Sequence, residues 1–280
     1  MEDSIDKELE SRLFQLRERF QGPLGSCCFN LLKRFAASLL CVQRIYEIYE
    51  LSARQNGDII ENCLANAGVR CTLESGEDFI PSSGSFISVA NHPTGIIDGL
   101  AMLSLLRRAR PDVKLIANSI SEFFSAFRSH LLYIYPFDGS ATPNKNLTSL
   151  NQIIAWLKGG GGVAVFPAGD ISSFDYRKCR VLDPQWATTF IRISLLTRSP
   201  ILPVFIEDHH NFLFHFFGSF HWALRFLLIP RKILYKKNRS IRISIGKAIT
   251  YEELKSLGNA GIRTSYVRRA LYELKNRTKN

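Results

Sequence analysis

Several features that would point to a function class are missing from this chain. Its six cysteines, Cys27, Cys28, Cys41, Cys63, Cys71 and Cys179, contain no C-x-x-C pair. That argues against a zinc site or a disulfide framework, and for reduced thiols in a cytosol-facing protein. No apolar stretch reaches the roughly 18–20 uncharged residues that a transmembrane helix needs. Residues 27–43 are interrupted by Lys33 and Arg34, and residues 211–229 contain His215, His221 and Arg225; both suit amphipathic or interfacial segments better than spans. Met1–Glu10 is acidic and has no apolar h-region, so no secretory leader is expected. His209, His210, His215 and His221 lack a carboxylate-supported H-x-x-x-H spacing, and no metal is expected. There is no internal repeat and no low-complexity tract.

What is present is enough apolar material for one large domain. The chain has 280 residues, 46% of them hydrophobic, which excludes a disordered chain and a minimal scaffold. Its net charge of +11 is local: residues 225–280 hold 15 basic and 3 acidic side chains, a net of +12, which leaves residues 1–224 with 21 against 22, a net of −1. A nearly neutral body with one basic segment points to an anionic partner at that end, nucleic acid or a membrane leaflet, unless the charges only solvate a helix face.

Residues 3–54 are rich in helix formers, with one break at Gln21-Gly22-Pro23, and read as two helices joined by a turn. From Gly57 the texture changes. Short apolar runs at 85–90, 113–117, 132–136, 162–166, 201–206 and 241–245 alternate with helix-like stretches at 98–110, 119–129, 145–158, 184–198 and 261–276. This predicts an α/β fold, a mixed and largely parallel central sheet flanked by helices, over residues 56–280, with residues 1–55 as an N-terminal helical appendage.

Ligands of open α/β sheets bind at the carboxyl ends of strands, and two strand ends stand out. Asn91-His92-Pro93-Thr94-Gly95-Ile96-Ile97-Asp98-Gly99 follows the run 85–90. On a continuous helix His92 and Asp98 would lie about 240° apart, but Pro93 and Gly95 indicate a turn, with the helix starting close to Asp98. Such a turn can return the carboxylate to the imidazole, fixing its tautomer and leaving the other nitrogen as a general base. The alternative is a structural histidine at a helix start with an Asp in the first turn. There is no G-x-S-x-G elbow in either loop, so the nucleophile is expected to be the substrate's own hydroxyl or amine.

The second strand end is Phe166-Pro167-Ala168-Gly169-Asp170-Ile171-Ser172. The Gly159–Gly162 run before it fits a tight turn, and the Pro-x-Gly turn after Val165 exposes amides suited to an oxyanion or a phosphate. Arg177, Lys178 and Arg180 follow, a cationic cluster able to hold an anionic group, or else a basic surface loop.

Taken in order, Asn91-His92-Pro93-x-Gly95-x-x-Asp98-Gly99, Phe166-Pro167-Ala168-Gly169-x-x-Ser172 and Leu202-Pro203-Val204 resemble the glycerolipid acyltransferase superfamily. More narrowly they are similar to its hemolysin-like branch, which includes lyso-ornithine-lipid O-acyltransferases. That branch spaces His and Asp by five residues and has Phe-Pro-Ala-Gly where other members have Phe-Pro-Glu-Gly-Thr. Asp183-x-x-Trp186 leading into Phe190 is also similar, and the resemblance covers about residues 70–215. It implies that His92 is the general base on an acceptor hydroxyl and Asp98 its orienting partner. It further implies that Asn91, Pro93, Thr94, Gly95 and the loop of Phe166, Pro167, Ala168, Gly169, Asp170 and Ser172 line the donor and acceptor sites, and that Pro203 belongs to a fourth motif. Two departures stand out: Asp170 sits where Thr or Glu/Leu is more usual, and the second motif's Arg lacks a counterpart near Tyr135-Pro136-Phe137-Asp138, leaving Lys145 and Asn146 as its candidate replacements.

Seven aromatic residues, Phe212, Phe214, Phe216, Phe217, Phe220, Trp222 and Phe226, fall within fifteen residues, followed by Arg231, Lys232, Lys236, Lys237 and Arg239. Rings at headgroup depth beside a cationic rim suit an anionic membrane surface, each basic residue adding about 1 kcal/mol; the other reading is a core helix with a basic edge. The expected function is therefore a peripheral enzyme at the cytoplasmic face of the membrane. It would move a fatty acyl chain from an acyl-carrier protein or coenzyme A thioester to the hydroxyl of a lyso-lipid such as lyso-ornithine lipid or lysophosphatidic acid. The thioester is a co-substrate, and no cofactor and no nucleic acid are expected. The rivals are a thioester hydrolase using the same His/Asp pair on water, and a non-catalytic membrane-binding protein.

Overall fold

The computed structural model describes residues 42–135, 142–175, 180–207 and 239–277. Seven strands form one sheet: β1 (Val69–Ser75), β2 (Phe86–Ala90), β3 (Lys114–Asn118), β4 (Leu131–Ile134), β5 (Gly162–Val165), β8 (Ile201–Glu207) and β9 (Arg239–Ile245), in the order β1-β9-β8-β2-β5-β3-β4. From β8 to β4 neighbours are parallel; β9 runs antiparallel to β8, and β1 pairs parallel to β9. A separate two-stranded ribbon joins β6 (Ser173–Asp175) to β7 (Arg180–Leu182). The fold is a mixed, largely parallel sheet flanked by helices.

Period-two alternation places the sheet's two faces in separate cores. Phe86 and Ala90 of β2 face α2 (Ile59–Asn66) and α3 (Ile96–Ala109), packing with Ile60, Leu64, Ala101, Met102 and Leu106. Ile87 and Val89 face the other side, against Ile153 and Leu157 of α4 (Thr142–Lys158), Phe190 and Ile191 of α5 (Thr189–Thr197), Leu254 of α6 (Tyr251–Ser256) and Val267 and Leu271 of α7 (Ala260–Arg277). Strands covered on both faces read as continuous apolar runs, which is why they were visible in the sequence. The described part of the N-terminal segment includes α1 (Val42–Arg54), which contacts α2.

Two sequence expectations are corrected. Residues 119–129 do not form an α-helix but two 3-10 turns, Ser119–Phe123 and Ser125–His130. Phe124 and Phe127 are drawn onto Tyr49 of α1, with ring centroids 4.9 and 6.0 Å away, and serines at this density favour local turns over helix. The helix expected over 184–198 begins only at Thr189, because Asp183 is tied to His92 and Ser172 and the Ala187 amide donates to the Pro167 carbonyl. Pro203 is tolerated inside a central strand because its missing N–H faces Gly246, just past the end of β9, and its carbonyl still accepts from the Gly246 amide at 2.9 Å.

The amino ends of the strands are closed by Arg110, which caps α3 and is buried. Its guanidinium forms a fork with Asp112 at 2.7 and 2.8 Å and donates to the carbonyls of Pro81, Gly84 and Gly160. Its hydrogen bond holds the Asp112 carboxyl below the usual range, and Asp112 in turn accepts from the Gly162 amide. Arg110→Ala would leave three carbonyls and a partly buried carboxylate without this donor. It is expected to cost about 3–5 kcal/mol of stability, read as a lower urea midpoint with an unchanged m value. A loss below about 1 kcal/mol would refute this account.

Candidate active site

β2 and β5 are parallel neighbours with Val89 opposite Val165, so the chain leaves them side by side and delivers His92 and Phe166 to the same crevice. The imidazole stacks on the Phe166 ring at 4.1 Å between centroids and 24° between planes. Asn91 anchors the first loop from the other side: its amide donates to the Ile206 carbonyl at 2.8 Å and accepts from the Ile206 N–H at 2.7 Å, tying β2 to the end of β8.

Pro93 and Thr94 turn the chain, and Gly95, at φ 89°, starts α3 in a conformation that side chains disfavour. Asp98 falls in the first turn, fully buried, with Oδ2 at 3.1 Å from Nδ1 of His92. Nδ1 is buried and makes no aligned hydrogen bond to a described residue, so the approach is close in distance but off in angle. The carboxylate also accepts from the amides of Thr94 (2.7 Å) and Gly95 (3.0 Å), and from the Thr94 hydroxyl. Asp98 therefore does both things the sequence left open: it anchors the helix start and faces the imidazole.

The second loop is held on the first. The Ser172 amide donates to the His92 carbonyl at 2.8 Å. The Ser172 hydroxyl donates to Oδ1 of Asp183, which also accepts from the His92 amide at 3.1 Å. Oδ2 of Asp183 accepts from the Trp186 indole at 2.9 Å. Burial pushes the Asp183 carboxyl up, against the opposing effect of these three donors and the His92 charge. Its backbone is gripped by α7: the Asp183 amide donates to the Tyr272 hydroxyl at 3.0 Å, and its carbonyl accepts from Arg268 at 2.6 Å. Burial and the Asp183 charge push the Tyr272 phenol up to about 12.

Several residues read from the sequence as binding residues have structural bonds here. Asn91 and Ser172 are buried and engaged as above. The Asn146 amide clasps the Tyr135 backbone at 2.8 and 2.9 Å, and Lys145 Nζ lies 5.1 Å from the Tyr135 ring centroid. Pro167 is buried and its carbonyl accepts from Ala187, while the exposed Gly169 and Asp170 edge the loop. The amides of Gly95 and Gly169, candidates for an oxyanion, donate instead to Asp98 and to the Phe166 carbonyl. The Gly159–Gly162 run lies at the amino end of β5, opposite the site: Gly160 turns the chain at φ 88°, and a Cβ on Gly161 would lie 2.3 Å from the Trp156 indole, so a tight turn and close packing explain it. Arg177, Lys178 and the proposed membrane contacts Phe212, Phe216, Phe217, Trp222, Arg231, Lys232, Lys236 and Lys237 lie outside the described residues, as does the Arg180 side chain. Among the described residues no helix is long and apolar enough to cross a membrane, and no group of side chains is suited to hold a metal ion.

The chain also has four likenesses to known families and proteins. A family model described as acyltransferase matches residues 34–280. Over 224 residues the chain is 20% identical to the lyso-glycine lipid O-acyltransferase of Phocaeicola vulgatus, covering 78% of this chain and 77% of that protein. It is 21% identical to the protein of the same name from Bacteroides thetaiotaomicron, covering 78% and 79%. Among solved structures it resembles the 1-acyl-sn-glycerophosphate acyltransferase PlsC of Thermotoga maritima, with a TM-score of 0.49 at 17% identity over 89% of this chain and 90% of that one. With the family model spanning nearly the whole chain and the His92 and Phe166 motifs meeting at one strand-end crevice, the chain belongs to the acyltransferase family, within the glycerolipid acyltransferase superfamily.

Proposed function

We propose that the protein acylates the hydroxyl of a lyso-lipid, using a fatty acyl thioester of acyl-carrier protein or coenzyme A. The observation that carries this reading is the buried Asp98 carboxylate 3.1 Å from Nδ1 of His92, at a crevice where the ring is braced by Phe166. With Nδ1–H turned to Asp98, Nε2 takes the proton of the acceptor hydroxyl as its oxygen attacks the thioester carbonyl. The imidazolium so formed is stabilised by Asp98, as in other His/Asp pairs. Collapse of the tetrahedral intermediate breaks the C–S bond, and the proton passes from His92 to the thiolate. The oxyanion is stabilised by the amino end of α3, whose dipole starts at Gly95.

The names of the two curated relatives support a lyso-lipid acceptor. Arg177, Lys178 and Arg180, which follow the 166–172 loop in sequence, are the cations we assign to an anionic headgroup of the acceptor. The enzyme acts from the cytoplasmic face as a peripheral protein, held on anionic lipid by the aromatic and basic stretch 212–239, and requires no cofactor beyond its thioester co-substrate.

The test is to incubate the full-length protein with palmitoyl thioesters of coenzyme A and of acyl-carrier protein, with and without lyso-lipid. Thiol release that depends on lyso-lipid, with a diacyl product by mass, is the expected result. Release independent of acceptor would make the protein a hydrolase, and no release with any acceptor would leave a membrane-binding protein.

A further inference from the structure

We propose that Asp183 is a positioning residue for His92, an inference that rests on His92 being the base. Asp98 touches the imidazole, but the backbone of His92 is held from elsewhere. Its N–H donates to Oδ1 of Asp183 at 3.1 Å, and its carbonyl accepts at 2.8 Å from the amide of Ser172, whose hydroxyl donates to the same Oδ1. One carboxylate oxygen thereby joins the His92 loop to the loop carrying Phe166, the ring on which the imidazole stacks.

The other oxygen is committed to Trp186 at 2.9 Å. Beyond it, Arg268 lies 5.8 Å from the centroids of both the Trp186 and Tyr272 rings, and both Tyr272 and Arg268 hold the Asp183 backbone. Asp183 is only 5% exposed and 91 residues from His92 in sequence. A buried carboxylate is costly unless its acceptors are filled. Here every described donor belongs to the catalytic loop, to the loop facing it or to the indole that orients the carboxylate. The imidazole is seated from four directions: Asp98 at its edge, Phe166 at its face, Asp183 at its backbone N–H and Ser172 at its backbone carbonyl. Freeing one backbone tie lets the ring drift, and a shift on the order of 1 Å costs about 100-fold in rate.

Asp183→Asn keeps an oxygen for His92 and Ser172 but turns an NH2 group toward the Trp186 N–H, donor against donor. In full-length protein assayed with palmitoyl thioester and lyso-lipid, kcat is expected to fall roughly 100-fold with KM for the thioester within about threefold. Adding Trp186→Phe removes the opposing donor and should recover most of that loss. In a His92→Ala background, Asp183→Asn should cost nothing further, because it acts through His92. Tyr272→Phe, which removes only the hydroxyl holding the Asp183 amide, should lower kcat about tenfold at unchanged KM and provides a milder variant if Asp183→Asn does not fold. Full kcat in a folded Asp183→Asn protein, or in Tyr272→Phe should Asp183→Asn not fold, would overturn the proposal, as would an equal further loss in the His92→Ala background. Retained transfer by His92→Ala alone would instead overturn the choice of base.

Discussion

His92→Ala is expected to lower kcat for acyl transfer by about 10²–10⁴-fold, the range a positioned general base contributes. The fold should survive the change. The imidazole is 18% exposed, and the ties that hold this loop, to Asp183, Ser172 and Ile206, run through the His92 backbone and through Asn91. Truncation leaves all of them in place. The lost side-chain contacts are the stack on Phe166 and the approach to Asp98, and the Asp98 carboxylate keeps three other donors. The comparison to make is therefore kcat against the urea midpoint on the same preparation. A large rate loss with a nearly unchanged midpoint is the signature of lost chemistry, and retained transfer by well-folded His92→Ala would remove His92 from the mechanism. Binding of the full-length variant to anionic vesicles should equal that of the parent, because the basic segment 225–280 is untouched.

Asp98→Asn should be nearly as damaging to rate, by about 10²–10⁴-fold, and far milder for stability. The asparagine oxygen can keep the two backbone bonds now made to Oδ2, and its NH2 can donate to the Thr94 hydroxyl, which reverses from donor to acceptor. The packing of the helix start survives this exchange, so a stability change within about 1 kcal/mol is expected. The negative charge does not survive it. The imidazolium formed in the transition state then faces a neutral amide, and its stabilisation is lost where burial makes charge matter most. Asp98→Ala differs in kind: it leaves the amides of Thr94 and Gly95 buried without an acceptor, and should lose an additional 1–3 kcal/mol or so for each. If Asp98→Asn and Asp98→Ala lost equal rate and equal stability, Asp98 would be an anchor for α3 and nothing more.

The two substitutions separate the roles that meet in one short segment. A histidine held by its backbone and an aspartate held by backbone amides define a pair whose geometry depends little on either side chain's own flexibility. The same logic explains the placement of Asn91, Ser172 and Asn146, which looked like ligand-facing polar residues in the sequence. Each has its polar group committed to neighbouring backbone or to a buried carboxylate, because polar groups withdrawn from water must find partners. Asp183 was visible only as part of a pattern with Trp186. Its bond to His92 spans 91 residues, a separation over which no local spacing carries information.

Local features were legible in the sequence because local physics produces them. The runs 85–90, 162–166 and 201–206 are apolar because their strands are covered on both faces, and the parallel pairing of β2 with β5 places the His92 and Phe166 loops in one crevice. Pro93 and Gly95 marked a turn where a continuous helix would have parted His92 from Asp98. The pattern is weaker elsewhere: residues 119–129 form 3-10 turns drawn onto Tyr49, and β1, at the sheet edge, alternates Val69, Cys71 and Leu73 with polar residues in place of a continuous apolar run. The sequence by itself determined the class of fold, the order of the motifs and the pair most suited to base catalysis, since composition, period and turn chemistry act over a few residues. Only the tertiary structure decided that Asp98 reaches Nδ1, that Phe166 braces the imidazole, that the Gly95 and Gly169 amides are already bonded, and that Asp183 grips the His92 backbone. Those contacts arise from strand pairing and helix packing, which bring together residues that the chain itself keeps far apart.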